Sequence, residues 1–338
     1  INKNKLLNLC KLNAMINKEN YHFLYRLSKK VTPFLKQKNR FTETLNRNNK
    51  SEEANEILKN IILKNEPFMC ARFGSTESRA ILNFQLKKKQ ITDFHASLKH
   101  IRGKMNIYWK EHPKFLNNLT ELSGFFPKDE NLLEIFVNLY ISDIKNLDLL
   151  GVWNEYEEFL QVPEDTKLCK IRELEPWFYN KPWTAALEGK KVLVIHPFEE
   201  TIKNQYQKKE KLYKNENILP NFELKTIKAV QTIAGEKSEF KDWFEALESM
   251  KNQMNNIDYD VAIIGCGAYG FPLASHAKKM GKIGIHLGGV TQLLFGIKGK
   301  RWEEWKHYTE LRKNEGESWV YANEIPKDYK KVENGCYW

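Results

Sequence analysis

Short apolar runs rich in β-branched residues alternate with amphipathic stretches along most of this chain. Residues 68–71 (FMCA), 147–152 (LDLLGV), 191–195 (KVLVI), 260–264 (DVAII) and 282–286 (KIGIH) each read as a strand buried on both faces of a parallel sheet. Residues 167–171 (KLCKI) and 222–229 (FELKTIKA) mix charge into the same length and read as further strands. Helical periodicity marks 52–64, 129–145, 202–213, 237–256 and 272–280, the last stopped by Gly281. The clearest unit is 258–302, which reads strand, glycine turn, helix, strand, glycine turn, helix. That order is a βαβ crossover, and its repetition predicts an α/β fold: a doubly wound, mostly parallel sheet with helices on both faces.

The first 40 residues differ. Leu6, Leu7, Leu9, Leu12, Phe23, Leu24 and Leu27 fall at mixed helical spacing among many lysines, which predicts a basic helical extension. Residues 39–52 (NRFTETLNRNNKSE) read as a linker, so the expected division is 1–50 for extension and linker and 51–338 for the main domain. Such an arm can rest on an anionic membrane surface or dock on the domain that follows.

Composition narrows the class. With 41% hydrophobic and 12% aromatic residues the chain is too rich in large side chains to be disordered. It contains no run of 18 apolar residues, so no membrane span is expected, and no secretory signal is visible. The sequence opens on Ile1 rather than Met, and a start upstream of it is expected. Five scattered cysteines without a CxxC pair argue against zinc and disulfide frameworks and fit a reducing cytoplasm. The net charge of +11 points to an anionic partner, although a lysine-rich solvated surface explains it equally well. Basic residues are not interleaved with aromatics as in nucleic-acid modules, so no nucleic-acid partner is expected.

Candidate chemistry lies at strand ends. Arg72-Phe73-Gly74-Ser75-Thr76-Glu77 reads as strand end, turn and helix start, with Ser75 or Thr76 as cap and backbone N–H groups turned toward an anion. Arg72 and Glu77 can bind a ligand there or simply pair with each other. His196 ends the 191–195 run ahead of Pro197-Phe198-Glu199, where it is equally a ligand-touching group and a hydrogen-bonded turn residue. Gly265-Cys266-Gly267-Ala268-Tyr269-Gly270 satisfies GxGxxG. A dinucleotide site also wants a carboxylate at the end of the next strand, and His286-Leu287-Gly288-Gly289 stands there instead. Lys298, Lys300 and Arg301 cluster with two glycines in 296–302, a plausible phosphate-facing loop or a basic helix cap. No Walker A, HExxH or GxSxG pattern occurs. In a parallel sheet these loops share one edge, and together they suit a diphosphate ligand, with or without a divalent metal.

Arg72 to Glu77 resembles the R-[FY]-G-D-G-E loop of GT-D-type bacterial glycosyltransferases. Segments IHPFEETIKNQY, DVAIIGCGAYGFPLA and IHLGGVTQLLFGIKGKRW resemble related bacterial proteins encoded with surface-polysaccharide genes. The resemblance runs over about residues 50–338 and is strongest after 180. It implies a Rossmann-like, cytoplasmic enzyme, at the inner face of the membrane if the arm rests there. That enzyme would use a UDP-sugar with Mn²⁺ or Mg²⁺ and a glycan or lipid-linked acceptor. The family's metal-binding D-x-E maps here onto Ser75, Thr76 and Glu77, so only Glu77 remains as a metal ligand. The implied donor site is Arg72, Gly74, Ser75, Thr76, Gly265, Gly267, Tyr269, Gly288, Gly289, Lys300 and Arg301, with Glu77 and His196 as catalytic candidates. A non-catalytic nucleotide- or sugar-binding protein of the same fold is the alternative, and the loss of the aspartate at Ser75 supports it.

Overall fold

A computed structural model describes residues 39–338 apart from 91–95, 97–98, 101–103, 106–114, 233–237, 305–307, 328 and 332–333. The expected extension at 1–38 lies outside the described residues.

Seven strands form one sheet in the order β3-β2-β1-β7-β6-β4-β5, and every neighbouring pair is parallel. In chain order they are β1 (Phe68–Ala71), β2 (Leu149–Val152), β3 (Lys167–Lys170), β4 (Lys191–His196), β5 (Glu223–Lys228), β6 (Val261–Ile264) and β7 (Ile283–His286). The five inner strands are the more apolar ones, interrupted only by Lys191, His196 and His286 at strand ends, and β1, β2, β6 and β7 are buried along their whole length. The edges β3 (KLCK) and β5 (ELKTIK) carry the charge, which keeps a row of unpaired backbone groups from recruiting another chain. A short parallel pair, β8 (Ile297–Lys298) with β9 (Val320–Tyr321), lies apart from the main sheet.

Two cores flank the sheet. One packs the helices Ser75–Lys88, Glu130–Ile144, Trp243–Asn255 and Gly270–Lys279 through Leu82, Phe136, Leu247 and Leu273. The other packs Glu53–Lys64, Glu199–Tyr206 and Thr291–Leu294 through Leu58, Ile202 and Leu293. The chain leaves β4 outward to β5 and returns to β6 on β4's other side, with the connecting helices on opposite faces. It likewise leaves β1 toward β2 while β7 lies on β1's other side. Both reversals are topological switch points, and each opens a crevice at the carboxyl end of the sheet.

Some local expectations need correction. The linker expected at 39–52 is in part a docked helix, Arg40–Asn46, whose Asn39 cap and Thr42 complete a capping box. Phe41 is buried, and the Arg40 guanidinium donates to the carbonyls of Val162, Pro163, Glu164 and Thr166. The helix expected over 202–213 is shorter, Glu199–Tyr206. Gly74, not Ser75 or Thr76, caps the Ser75–Lys88 helix; it offers no side chain for a cap, and the Ser78 hydroxyl donates to its carbonyl at 2.9 Å.

Candidate functional site

A cavity of about 200 Å³ opens at the carboxyl edge of β1, β4, β6 and β7. The loop after β1 contributes Arg72, Gly74, Ser75, Thr76 and Glu77. The loop after β4 contributes His196 and Phe198, and the loop after β6 contributes Gly265, Gly267 and Tyr269. From beyond β7 come Gly288, Gly289, Arg301 and Tyr337. Twelve of the thirteen residues expected from sequence therefore meet in one cleft. Lys300 is the exception: it does not line the cavity, and the neighbouring Lys298 is engaged with Glu315 at 3.3 Å.

Tight backbone packing explains the glycines. A Cβ on Gly265 would lie 2.6 Å from Thr291 Oγ1 and 2.7 Å from both the Gly288 carbonyl and the His196 ring. No larger residue lets the β4, β6 and β7 loops converge there. Gly288 has φ +68°, a left-handed conformation that suits glycine, and its Cα faces the Arg72 side chain.

Arg72 is half-buried and lines the cleft. Its guanidinium stacks on Trp153 with 4.9 Å from Cζ to the ring centroid. Its one hydrogen bond is a long 3.5 Å contact to the Phe73 carbonyl, and it forms no ion pair among the described residues. Trp153 is held in turn: its Nε1–H donates to the Phe73 carbonyl at 2.7 Å and its backbone N–H to Glu157 Oε2 at 3.1 Å. Burial lowers the Arg72 pKa; the Tyr337 hydroxyl and the Glu77 and Glu157 carboxyls pull it back up, and the nearby Arg301 guanidinium pushes it down. Arg301 itself donates to the Tyr337 hydroxyl at 3.2 Å and stacks on that ring. Two guanidiniums that repel each other across one cleft form a receptor for an anion.

Glu77 is 5% exposed. Burial raises its pKa against the opposing pull of its own backbone N–H, the Ser123 hydroxyl and Arg72. Of the two alternatives left open for Arg72 and Glu77, the mutual ion pair does not form. His196 is buried, and its Nδ1 accepts from the Phe198 N–H at 3.0 Å, which leaves the ring proton on Nε2. Its pKa is pushed down to about 3 by burial. A neutral ring whose lone pair is already occupied donates a hydrogen bond and does not abstract a proton.

His286, Trp153 and Tyr337 also line the cleft and are not among the candidates expected from sequence. His286 Nδ1 donates to the Ile264 carbonyl at 3.2 Å, so the ring's lone pair sits on Nε2. It ends β7 as His196 ends β4, and the same positional signal could have found it. Trp153 follows β2 directly but carries no motif.

The donors fit a metal poorly. Among the described residues no group of three His, Cys, Asp or Glu side chains could hold an ion, and Glu77 is the one carboxylate lining the cleft.

Residues 177–294 match the family model of the GT-D fold-like domain. No curated protein and no solved structure matches the chain. The GT-D-like segment holds β4 to β7 and so contains the loops bearing His196, Gly265–Gly267 and Gly288–Gly289. The 72–77 loop and Arg301 lie outside it, and the cleft joins them to the GT-D-like segment in space.

Proposed function

We propose that the protein is a glycosyltransferase that moves a sugar from a nucleotide-sugar, with UDP as the nucleotide, to a glycan or lipid-linked acceptor of surface polysaccharide or glycoconjugate synthesis. The observation that carries this reading is Arg72, a half-buried guanidinium without an ion pair among the described residues, set beside Arg301 where the loops after four strands converge. A diphosphate there meets two guanidiniums and the N-terminus of the Ser75–Lys88 helix at Gly74–Thr76. As the acceptor oxygen bonds to the sugar's anomeric carbon and the bond to the diphosphate breaks, the charge left on the diphosphate falls on Arg72 and Arg301. Glu77 takes the acceptor's hydroxyl proton; its raised pKa makes its ionised form a stronger base. His196 donates its Nε2–H to the donor. Mn²⁺ or Mg²⁺ would have only Glu77 and the donor's own phosphates as anionic ligands, so charge neutralisation is assigned to the guanidiniums. The work would take place on the cytoplasmic side of a membrane, where activated sugars are available.

Calorimetric titration with UDP and UDP-sugars, followed by a UDP-release assay with and without EDTA, tests this. UDP should bind, and Arg72→Gln should weaken it by about tenfold or more, the worth of a charge-assisted hydrogen bond. Failure of UDP and UDP-sugars to bind the intact chain would overturn the reading. A non-catalytic binding protein is the second reading, favoured by Ser75 at the position of the family's aspartate. Binding without UDP release in the presence of acceptor decides for it.

A further inference from the structure

A second, larger cavity of about 510 Å³ lies behind the first. Arg72, Trp153, Gly289 and Arg301 line both, so they form the wall between them. The volume falls within the ~300–1,000 Å³ of small-molecule sites. Beyond the wall this cavity is built from the turn after β3, with Lys170, Arg172 and Glu175, and from Trp302 and Tyr308.

Its charge is lopsided. Four cationic side chains line it, Arg72, Lys170, Arg172 and Arg301, against one carboxyl, Glu175. Arg172 forms no ion pair and no side-chain hydrogen bond among the described residues. Glu175 is 3% exposed; its Oε2 has no hydrogen-bond partner, Oε1 receives a long 3.4 Å contact from the Tyr308 hydroxyl, and the Trp177 indole lies close enough to oppose the effect of burial. A buried polar atom without a partner costs free energy that a ligand's hydroxyl can recover. Burial pushes Glu175 up to about 8 against the pull of the Arg172 guanidinium, so its negative charge is weakened near neutral pH. Trp302 and Tyr308 are buried side chains that offer apolar ring surface of the kind that packs on sugar C–H faces.

Resting on the transferase reading above, we propose that this second cavity holds the acceptor, and that the acceptor sugar bound there carries a carboxylate. The Arg172 guanidinium grips that carboxylate, and Glu175 hydrogen-bonds a ring hydroxyl. The donor's nucleoside is the rival occupant, but a nucleoside brings no charge of its own. The diphosphate already answers Arg72 and Arg301 at the shared wall, which leaves Arg172 with only the buried Glu175 carboxyl near it and no ion pair among the described residues.

Saturation-transfer NMR on the full chain, with glucuronate, glucose and UDP as separate probes, tests the assignment without requiring turnover. Glucuronate should bind at least about tenfold more tightly than glucose, as expected for a guanidinium–carboxylate fork. Arg172→Gln should remove that preference and leave UDP affinity unchanged, and Arg172→Lys should restore part of it. Equal binding of the two sugars, no glucuronate signal at the highest soluble concentration, or a preference that survives Arg172→Gln overturns the proposal. So does a loss of UDP affinity in Arg172→Gln that matches the loss for glucuronate, because the cavity then belongs to the donor. Failure of UDP to bind the unmodified chain counts against the transferase reading alone and leaves the glucuronate comparison standing.

Discussion

At the residue scale the cleft is expensive. Arg72 loses water without gaining an ion pair. His196 and His286 are held neutral, both pushed down to about 3 by burial. A free imidazole protonates near pH ~6.5, so between those values the unfolded chain binds protons that the folded chain refuses. The stability tied to each ring is therefore full above about pH 6.5 and is lost as pH falls toward 3. Glu157 and Glu175 act in the opposite sense. Both are pushed up to about 8 by burial, so their contribution is full below ~4.3 and is lost as pH rises through about 8. The two effects overlap, and a variant separates them. Replacing His286 with Gln should flatten the acid limb of the urea-midpoint profile between pH 7 and pH 4.5 by on the order of 2 kcal/mol. An acid limb of unchanged steepness would mean that this ring is not held neutral in the fold.

Among elements, the Arg40–Asn46 helix shows how a polar, asparagine-rich stretch becomes ordered. Its own sequence buries little beyond Phe41 and Thr44. What holds it is a set of long-range polar contacts: Arg40 to four carbonyls around 162–166, and Arg47 to the buried carboxylate of Glu173. Glu173 also accepts from the backbone N–H of Ser51 at 2.8 Å and of Lys170 at 2.9 Å, so it binds the segment to the turn after β3. Arg47→Ala leaves that carboxylate with only these two donors. Chemical denaturation should show a loss of about 1.5–3 kcal/mol, the range for a hydrogen bond to a charged group. A change near zero would mean that water replaces the guanidinium without cost.

On the scale of the whole molecule, the carboxyl edge of the sheet is completed by chain from both sides of the GT-D-like segment. The 72–77 loop comes from before it, and Arg301 and Tyr337 come from after it. Tyr337 packs over Gly289, stacks on Arg301 at 4.8 Å and contacts Trp302. Trp338 anchors this return by donating its Nε1–H to the Glu324 carbonyl at 2.9 Å and packing on Phe198. Tyr337→Ala should leave the fold largely intact, because the ring is only partly buried. It should weaken UDP several-fold by freeing Arg301, a cation–π contact being worth roughly 0.5–2 kcal/mol. Calorimetry on the variant checks this, and unchanged UDP affinity would remove Arg301 from the donor site.

The inner strands were legible because burial on both faces leaves an uninterrupted apolar run of about four residues, as in FMCA, VAII and the VLVI of β4. The loops at their carboxyl ends were legible because glycine and histidine stand out beside such runs. The docked helix at 40–46 was not legible, because its partners lie more than a hundred residues away and leave no local periodicity. Glu175 was equally silent: one carboxyl in a turn reads as solvated until the fold closes over it.

The sequence by itself determined the layered α/β class, the strands, and the rule that ligand chemistry gathers where they end, because these follow from periodicity and from the backbone freedom of glycine. Only the tertiary structure decided which cations face the cleft and which carboxyls lose their water. It placed Arg301 inside and Lys300 outside, occupied the His196 lone pair with a backbone N–H, and set Arg72 as a wall between two cavities. Those outcomes depend on desolvation and on distances between segments remote in sequence, and neither is written in local pattern.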